Sequence, residues 1–443
     1  MLSKYQQAKE VARQYISGER GNIFQNVAWL FFEHISRMVF GLFVGAWVAR
    51  YLGAGQFGIL SYATAFIGLF SPLAGLGLDS LVIRSIVHEP ELKDQILGTT
   101  FWLKLVASLL CCGLIMGVIF QVRSGDAVTL RVVAILATAS IFQAFDVVDF
   151  WFRSQVQSKF TVIAKNSVFL LVTGIKVLLV LWQAPLVTFA WVMFAEAGLG
   201  AFTLLMMYRF RGCRFSLVWS LEVANQLLKE SWPLILSGLS IMIYMKIDLI
   251  MLGEMVSDKA VGLYAAATKL SEIWYFIPTA ITASVAPSIY AAKKNDQSLY
   301  YAKVKKLIRF LVQISLVFAI PISILSMWIV ALIYGQAYIG AGIILAIHIW
   351  AAVFVFMGVA SSPWFIAENL THLSFVRTFL GALINLLLNY LLIPSYAAIG
   401  AASATVISQA IASYLSNGLT PATRPIFKLQ SKAFMTDIFS VFN

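Results

Sequence analysis

Charge is scarce in this chain. Of its 443 residues only 12% are Asp, Glu, Lys or Arg, where an ordinary soluble domain carries about 25%. Hydrophobic residues make up 60% and the mean hydropathy is +0.85. Water is therefore excluded as the main solvent. Cysteine is almost absent too: Cys111 and Cys112 are adjacent inside an apolar run and Cys213 lies in a basic loop, which excludes a disulfide framework. Residues 1–20 contain Lys4, Lys9, Arg13 and Arg20 and no apolar h-region, so no cleavable signal is expected. The loops are too short to form a basic, aromatic-studded module. The net charge of +12 therefore does not indicate a nucleic-acid partner. Metal-ligand spacing, a nucleophile elbow and a glycine-rich phosphate loop are all missing, so no cofactor or metal is expected. Asp146 and Asp149 form a lone D-x-x-D near a helix end, which reads as a hydrated or salt-bridged pair. A membrane glycosyltransferase, ligase or polymerase needs a clustered acid/base site or a sizeable outer loop, and neither is present.

Long apolar runs are abundant. A bilayer core about 30 Å thick takes roughly 20 apolar residues per helix. The runs do not alternate as barrel strands would, and lipid requires closed backbone hydrogen bonding. The fold class expected is an all-α integral membrane protein of about 12 transmembrane helices. They fall near 25–49, 57–83, 98–121, 127–151, 160–182, 186–208, 231–252, 260–290, 307–333, 341–363, 372–392 and 397–418. Lys and Arg concentrate in alternate loops, including Arg84, Lys93, Arg209, Arg211, Arg214, Lys293, Lys294, Lys303, Lys305 and Lys306, which makes both termini cytoplasmic. Leu2, Tyr5, Val11, Ala12, Tyr15 and Ile16 recur at helical spacing, as an interfacial amphipathic helix would. The tail, with Phe427, Leu429, Phe434, Ile438, Phe439 and Phe442, reads the same way. The organisation expected is an N-terminal segment 1–24, a six-span lobe 25–208, a basic linker 209–230, a second six-span lobe 231–418 and a tail 419–443.

An internal repeat supports the two lobes. Residues 57–64, FGILSYAT, parallel 261–268, VGLYAAAT, and each follows a Leu-Gly pair, Leu52-Gly53 or Leu252-Gly253. Pro72 and Pro278 follow within the same spans and are hinge or kink candidates, because proline removes an intrahelical hydrogen bond. With an even number of spans per repeat, the halves are related by a pseudo-two-fold along the membrane normal, the organisation of alternating-access transporters.

Ionisable residues at membrane depth are costly and mark pathways or partners. Arg37, Lys104, Lys176 and Lys269 are candidates for a cationic headgroup path, since Arg and Lys can replace the water around a diphosphate. Glu33, Glu196, Asp248 and Glu272 are candidates for exchanging a proton or sodium ion. Glu33 with Arg37, and Lys269 with Glu272, have the spacing to neutralise one another on one helix face. Lys104 and Arg377 fall near cytoplasmic ends, where snorkelling is expected, and Asp248 falls near the outer face.

Around Ser36-Arg37 and Val48 to Gly58, and again at Lys246-Ile247-Asp248, Val261 to Tyr264 and Thr268 to Glu272, the chain resembles polysaccharide transporters of the Wzx type. These O-antigen flippases share a superfamily with drug extruders and lipid II flippases. The resemblance implies two six-helix lobes in the bacterial inner membrane. The implied substrate is an undecaprenyl diphosphate-linked oligosaccharide carried to the periplasmic leaflet, with other polysaccharide-assembly membrane proteins as partners. It also matches Arg37 to an arginine that lines the lipid II flippase cavity. Those flippases carry two further C-terminal spans, and no such runs follow residue 418. A multidrug extrusion antiporter is the alternative, although the surplus of deep cations disfavours a cavity for cationic drugs.

Overall fold

The computed structural model describes the backbone of residues 2–441 and the side chains of Trp29 and of residues 31–433. Among the described residues there are helices and no β-strands, as expected for a chain whose backbone must bond to itself in lipid. The helices are α1 (Leu2–Gly75), α2 (Asp79–His88), α3 (Lys93–Val122), α4 (Ala127–Ala139), α5 (Val147–Ser154), α6 (Ser158–Leu181), α7 (Leu186–Phe210) and α8 (Leu221–Met255). They continue as α9 (Asp258–Glu272), α10 (Phe276–Asn295), α11 (Gln297–Tyr334), α12 (Ala341–His348), α13 (Ala351–Ala367), α14 (Thr371–Ser413) and α15 (Arg424–Val441). The residues expected to make 2–17 amphipathic lie outside the described side chains, as do Phe434, Ile438, Phe439 and Phe442 of the tail.

Nine helical stretches among the described residues are long and apolar enough to cross a membrane. Two of them, Phe31–His88 of 58 residues and Thr371–Gly418 of 48, would be roughly 87 and 72 Å long if straight, far more than one bilayer. Each holds the length of two expected spans and is broken where the chain reverses its backbone habit. In α1 the break is Gly53, at φ 70° and ψ 166°, a conformation glycine reaches without a Cβ clash. In α14 it is Ala397, at φ 47° and ψ −130°, three residues after Pro394. The expected span 260–290 is also interrupted: α9 stops at Glu272, a 3₁₀ turn covers Ile273–Tyr275 and α10 resumes at Phe276. Pro278 thus occupies the first turn of a new helix, where its missing N–H costs nothing. Pro72 instead lies three residues from the end of α1. The expected span 341–363 is likewise divided, between α12 and α13, at Ile349–Trp350.

The backbone packs into two compact units. The first comprises Met1–Gly45 and Phe70–Leu236, the second Ala46–Leu69 and Ser237–Asn443. In the first unit Leu78, Val82, Ile86, Val147, Phe152 and Tyr208 form a core with exposures of 1% or less. Of the expected linker 209–230, only residues 211–220 lie outside helices, since α8 begins at Leu221, and this stretch runs across α3. The Ser220 amide donates to Thr99 Oγ1 at 2.9 Å, Trp102 Nε1 donates to the Leu217 carbonyl at 3.2 Å, and a Cβ on Gly98 would lie 2.9 Å from the Ser216 carbonyl oxygen.

In the second unit, segment 46–69 crosses α9 backbone to backbone. A Cβ on Gly58 would overlap the Asp258 carbonyl, and one on Gly262 would overlap the Ala54 carbonyl, 2.8 Å from its carbon. The repeat alignment that pairs Gly58 with Gly262 also pairs Ala54 with Asp258, so the crossing is reciprocal. Tyr338 Oη fastens the same segment by donating to the Ala49 carbonyl at 2.7 Å, and Arg50 donates to the Leu332 carbonyl. Helix α15 docks through fully buried Ile426 and Gln430. The Gln430 amide donates to Ser361 Oγ at 2.8 Å and to the Ser413 carbonyl at 3.0 Å, and its oxygen accepts from Asn417 Nδ2 at 2.9 Å.

Candidate functional site

Most deep charges of the first unit are paired. Arg37 Nε donates to Glu33 Oε1 at 3.1 Å, the i,i+4 pairing expected from the spacing. Its Nη2 donates to the Lys165 carbonyl at 3.1 Å, and its guanidinium stands 5.0 Å from the Phe169 ring centroid. Ser36 Oγ donates to Asn166 Oδ1 at 2.9 Å, which binds α1 to α6 one residue from Arg37. Lys165 bridges Asp146 at 3.1 Å and Asp149 at 3.4 Å, and Arg153 reaches Asp149 at 2.8 Å. The D-x-x-D pair is therefore salt-bridged, as its spacing suggested. Lys176 and Glu196, one a headgroup candidate and the other an ion candidate, pair with each other at 3.0 Å between α6 and α7.

Lys104 differs from the snorkelling expected of it. It is 2% exposed, its ammonium sits 4.7 Å from the Phe150 ring centroid, and no carboxylate lies within ion-pair distance among the described residues. Burial of the α3 face around Thr100 and Phe101 holds it inside the unit rather than letting its stem reach outward.

The second unit collects its chemistry around Asp248. This residue is 3% exposed. Tyr264 Oη and Thr405 Oγ1 each donate to Oδ2 at 2.6 Å, and Asn389 Nδ2 donates to Oδ1 at 2.5 Å. Asn385 supports this shell by accepting from Asn389 at 3.0 Å and donating to Ser408 at 3.3 Å. The Asn389 side-chain oxygen is buried and has no hydrogen-bond partner among the described residues. No Lys or Arg lies within ion-pair distance of Asp248 among the described residues. A buried carboxylate without a counter-charge is expensive. The cluster, rich in oxygen from α8, α9 and α14, has the chemistry to take up a proton or a hard monovalent cation.

Lys269 lies on the exposed side of α9, its ammonium 5.9 Å from the Phe57 ring centroid. Glu272 is half-buried at the end of α9. Next to it, Ser271 Oγ and His348 Nδ1 are 2.6 Å apart. The Asp248 shell was only partly visible in the sequence: Asp248 and Tyr264 stand in motifs, whereas Asn385, Asn389, Thr405 and Ser408 are uncharged residues within apolar runs. Asn385 and Asn389, four apart in an apolar helix, are the signal that would have found them.

Nine helical stretches among the described residues that are long and apolar enough to cross a membrane, with charged and carboxamide side chains buried among them, define a multi-pass membrane protein. In fold, the chain is similar to the lipid II flippase MurJ in an inward closed conformation, with a TM-score of 0.71 at 15% identity over 95% of this chain and 92% of that one. It also matches an inward-facing MATE-family multidrug transporter of the MOP superfamily with a TM-score of 0.70, at 16% identity over 89% and 96% of the two chains. By sequence the chain belongs to the polysaccharide biosynthesis protein family, which it matches over residues 23–293. Among curated relatives, a probable flippase, AglR, of Haloferax volcanii is 30% identical over 41% of this chain and 39% of its own length, so the chain spans well under half of that relative. A probable low-salt glycan biosynthesis flippase, Agl15, of the same organism is 24% identical over 83% of this chain and 78% of its own length.

Proposed function

We propose that the protein is an ion-coupled flippase that moves a lipid-linked oligosaccharide, on an undecaprenyl diphosphate carrier, from the cytoplasmic to the outer leaflet of a bacterial inner membrane by alternating access. It acts as a transporter and not as an enzyme, with both termini on the cytoplasmic side. Family membership and the two flippase relatives support the substrate class. The observation that carries the coupling is Asp248, a buried carboxylate with three donors and no cation. Its counter-charge must be imported, and a proton or sodium ion supplies it. Tyr264, Thr405 and Asn389 orient the carboxylate, and the unpartnered Asn389 oxygen adds a further ligand for a hard cation. Headgroup contacts are assigned to Arg37 and Lys104 in the first unit and, separately, to Lys269 in the second. Of these, Lys269 is exposed and Lys104 is enclosed at 2% exposure.

The test is translocation of a labelled undecaprenyl diphosphate oligosaccharide in proteoliposomes, with and without proton and sodium gradients. D248N should fold and lose gradient-driven movement, and R37A and K269A should lose headgroup-dependent movement. Wild type that moves small organic cations but not the lipid-linked glycan would establish the drug-extruder reading instead.

A further inference from the structure

Two spans of the second unit are interrupted, and their interruptions meet. Helix α9 ends at Glu272 and gives way to the turn Ile273–Tyr275. Helix α12 ends at His348, followed by the turn Ile349–Trp350 before α13. A break inside a spanning helix frees backbone groups and marks sites of ion binding or movement. At this junction the side chains of Ser271 and His348, the first fully buried and the second 2% exposed, face each other at 2.6 Å. The Tyr264 ring stands edge-on to the His348 imidazole with centroids 5.9 Å apart, and the same Tyr264 donates to Asp248.

We propose that His348, held by Ser271 where these two interrupted spans meet, is a protonation site of its own. It loads and releases a proton during the cycle separately from Asp248. Neutral imidazole can accept the Ser271 hydroxyl proton at Nδ1. Once protonated it carries N–H on both nitrogens, so Nδ1 must donate to Ser271 Oγ and the serine proton must turn elsewhere. Tyr275, four residues on, lies on the turn that interrupts the span. Loading a proton therefore rewires both helix breaks at once. It also places a positive charge beside the ring that holds Asp248, and by linkage a cation at either site weakens binding of one at the other.

The groups that face the pair are few. Helix α9 contributes Tyr264 and Glu272, with Lys269 on its exposed side, and the turn contributes Tyr275. Helix α8 contributes Asp248 behind Tyr264, together with Tyr244 and Lys246. Helix α14 brings uncharged Asn389 and Thr405, while its Arg377 is engaged with the Gly358 carbonyl and the Phe365 ring. Helix α13 carries no titratable side chain, and α11 carries only Tyr334 beyond Leu311. No carboxylate lies within ion-pair distance of His348 among the described residues.

This proposal rests on the transporter reading, but its test does not need substrate. Trp350 lies two residues from His348. Trp274 lies three residues from Ser271, stacked on Phe318 at 4.2 Å. Tryptophan emission of the purified full chain, in sodium-free buffer between pH 3.5 and 8, should show a one-proton transition in wild type that H348Q lacks, and S271A should move its midpoint. In proteoliposomes under a fixed sodium gradient, the pH midpoint of wild-type transport that coincides with this transition should be absent in H348Q. A wild type without a transition, an identical transition in H348Q, or an unmoved midpoint in S271A overturns the proposal. Should the emission transition behave as expected while no glycan moves, the proton site stands and the flippase assignment fails.

Discussion

Replacing Gly262 with alanine sets two physical effects of known sign against each other. In a helix, Gly→Ala ordinarily stabilises by about 0.8–1 kcal/mol, because alanine loses less backbone freedom on folding. At Gly262, however, the new methyl would overlap the Ala54 carbonyl and lie 3.2 Å from Ala54 Cα. Its neighbours there are backbone atoms, which cannot swing away as a flexible side-chain tip can. Forcing a methyl into such a contact costs about 1–3 kcal/mol, occasionally more. The loss of close Cα–H···O contacts adds about 0.5–1 kcal/mol per contact. The net expectation is destabilisation by about 1–3 kcal/mol. Gly68, also helical, has nothing within 4 Å of a built Cβ, so G68A should leave stability unchanged or raise it by up to about 1 kcal/mol. Thermal unfolding of both variants in one detergent, followed by size-exclusion fluorescence, compares them directly. G58A should resemble G262A, and the double variant should fall short of the sum, since both act on one crossing. A G262A protein as stable as G68A would refute the backbone crossing.

Three further outcomes are expected. Lys176→Met strands Glu196 and should cost about 1–3 kcal/mol, while pairing it with Glu196→Leu should recover most of the loss; a double-mutant cycle in thermal midpoints measures the coupling. Gln430→Leu removes one hydrogen bond each from buried Asn417, Ser361 and Ser413, although Asn417 and Ser413 keep each other and Ser361 keeps the Met357 carbonyl; it should cost about 1–3 kcal/mol, read as earlier proteolytic release of α15. Asp126 caps α4 by accepting from Val128 N, Thr129 N and Thr129 Oγ1. Burial alone would raise its pKa, but the Thr129 hydrogen bonds, with the Val128 amide and the Arg123 charge, hold it below the ordinary value. Its stabilisation is therefore complete above the unfolded pKa of about 3.9 and fades as pH falls through the lower native value. D126A should cost about 0.5–2 kcal/mol at pH 7 and less near pH 3, as measured by unfolding at both pH values.

The all-α class was legible because hydropathy and run length report burial in lipid directly, and the Glu33–Arg37 pair because i,i+4 spacing places two side chains on one helix face. Interruptions were less legible. Nothing in 341–363 marks the turn at Ile349–Trp350, since Ala, Ile and Trp are all tolerated in spanning helices, and the break is imposed by what packs against it. Pro278 was visible, but a proline at the start of a helix and one inside it look alike in sequence. Lys104 was placed by depth along its own helix, which says nothing of the neighbouring helices that enclose it. Lys176 and Glu196 were read as separate candidates because they sit on different spans, and only packing brings their side chains together. The Asp248 shell was hidden for a different reason: asparagine and threonine are neither charged nor apolar enough to stand out in a span, yet they decide whether a buried carboxylate is tolerated.

The location of segment 46–69 also has a consequence for biogenesis. Its packing partner, α9, lies about 200 residues later in the chain, so at synthesis rates of ~5–20 residues per second it emerges from the ribosome roughly 10–40 s after Gly58. Throughout that interval the close-contact face at Ala54 and Gly58 has no native neighbour. A nascent chain arrested before α9 should therefore present this face to whatever insertion factor or lipid surrounds it, and it should be the part of the first half that quality-control proteases recognise first.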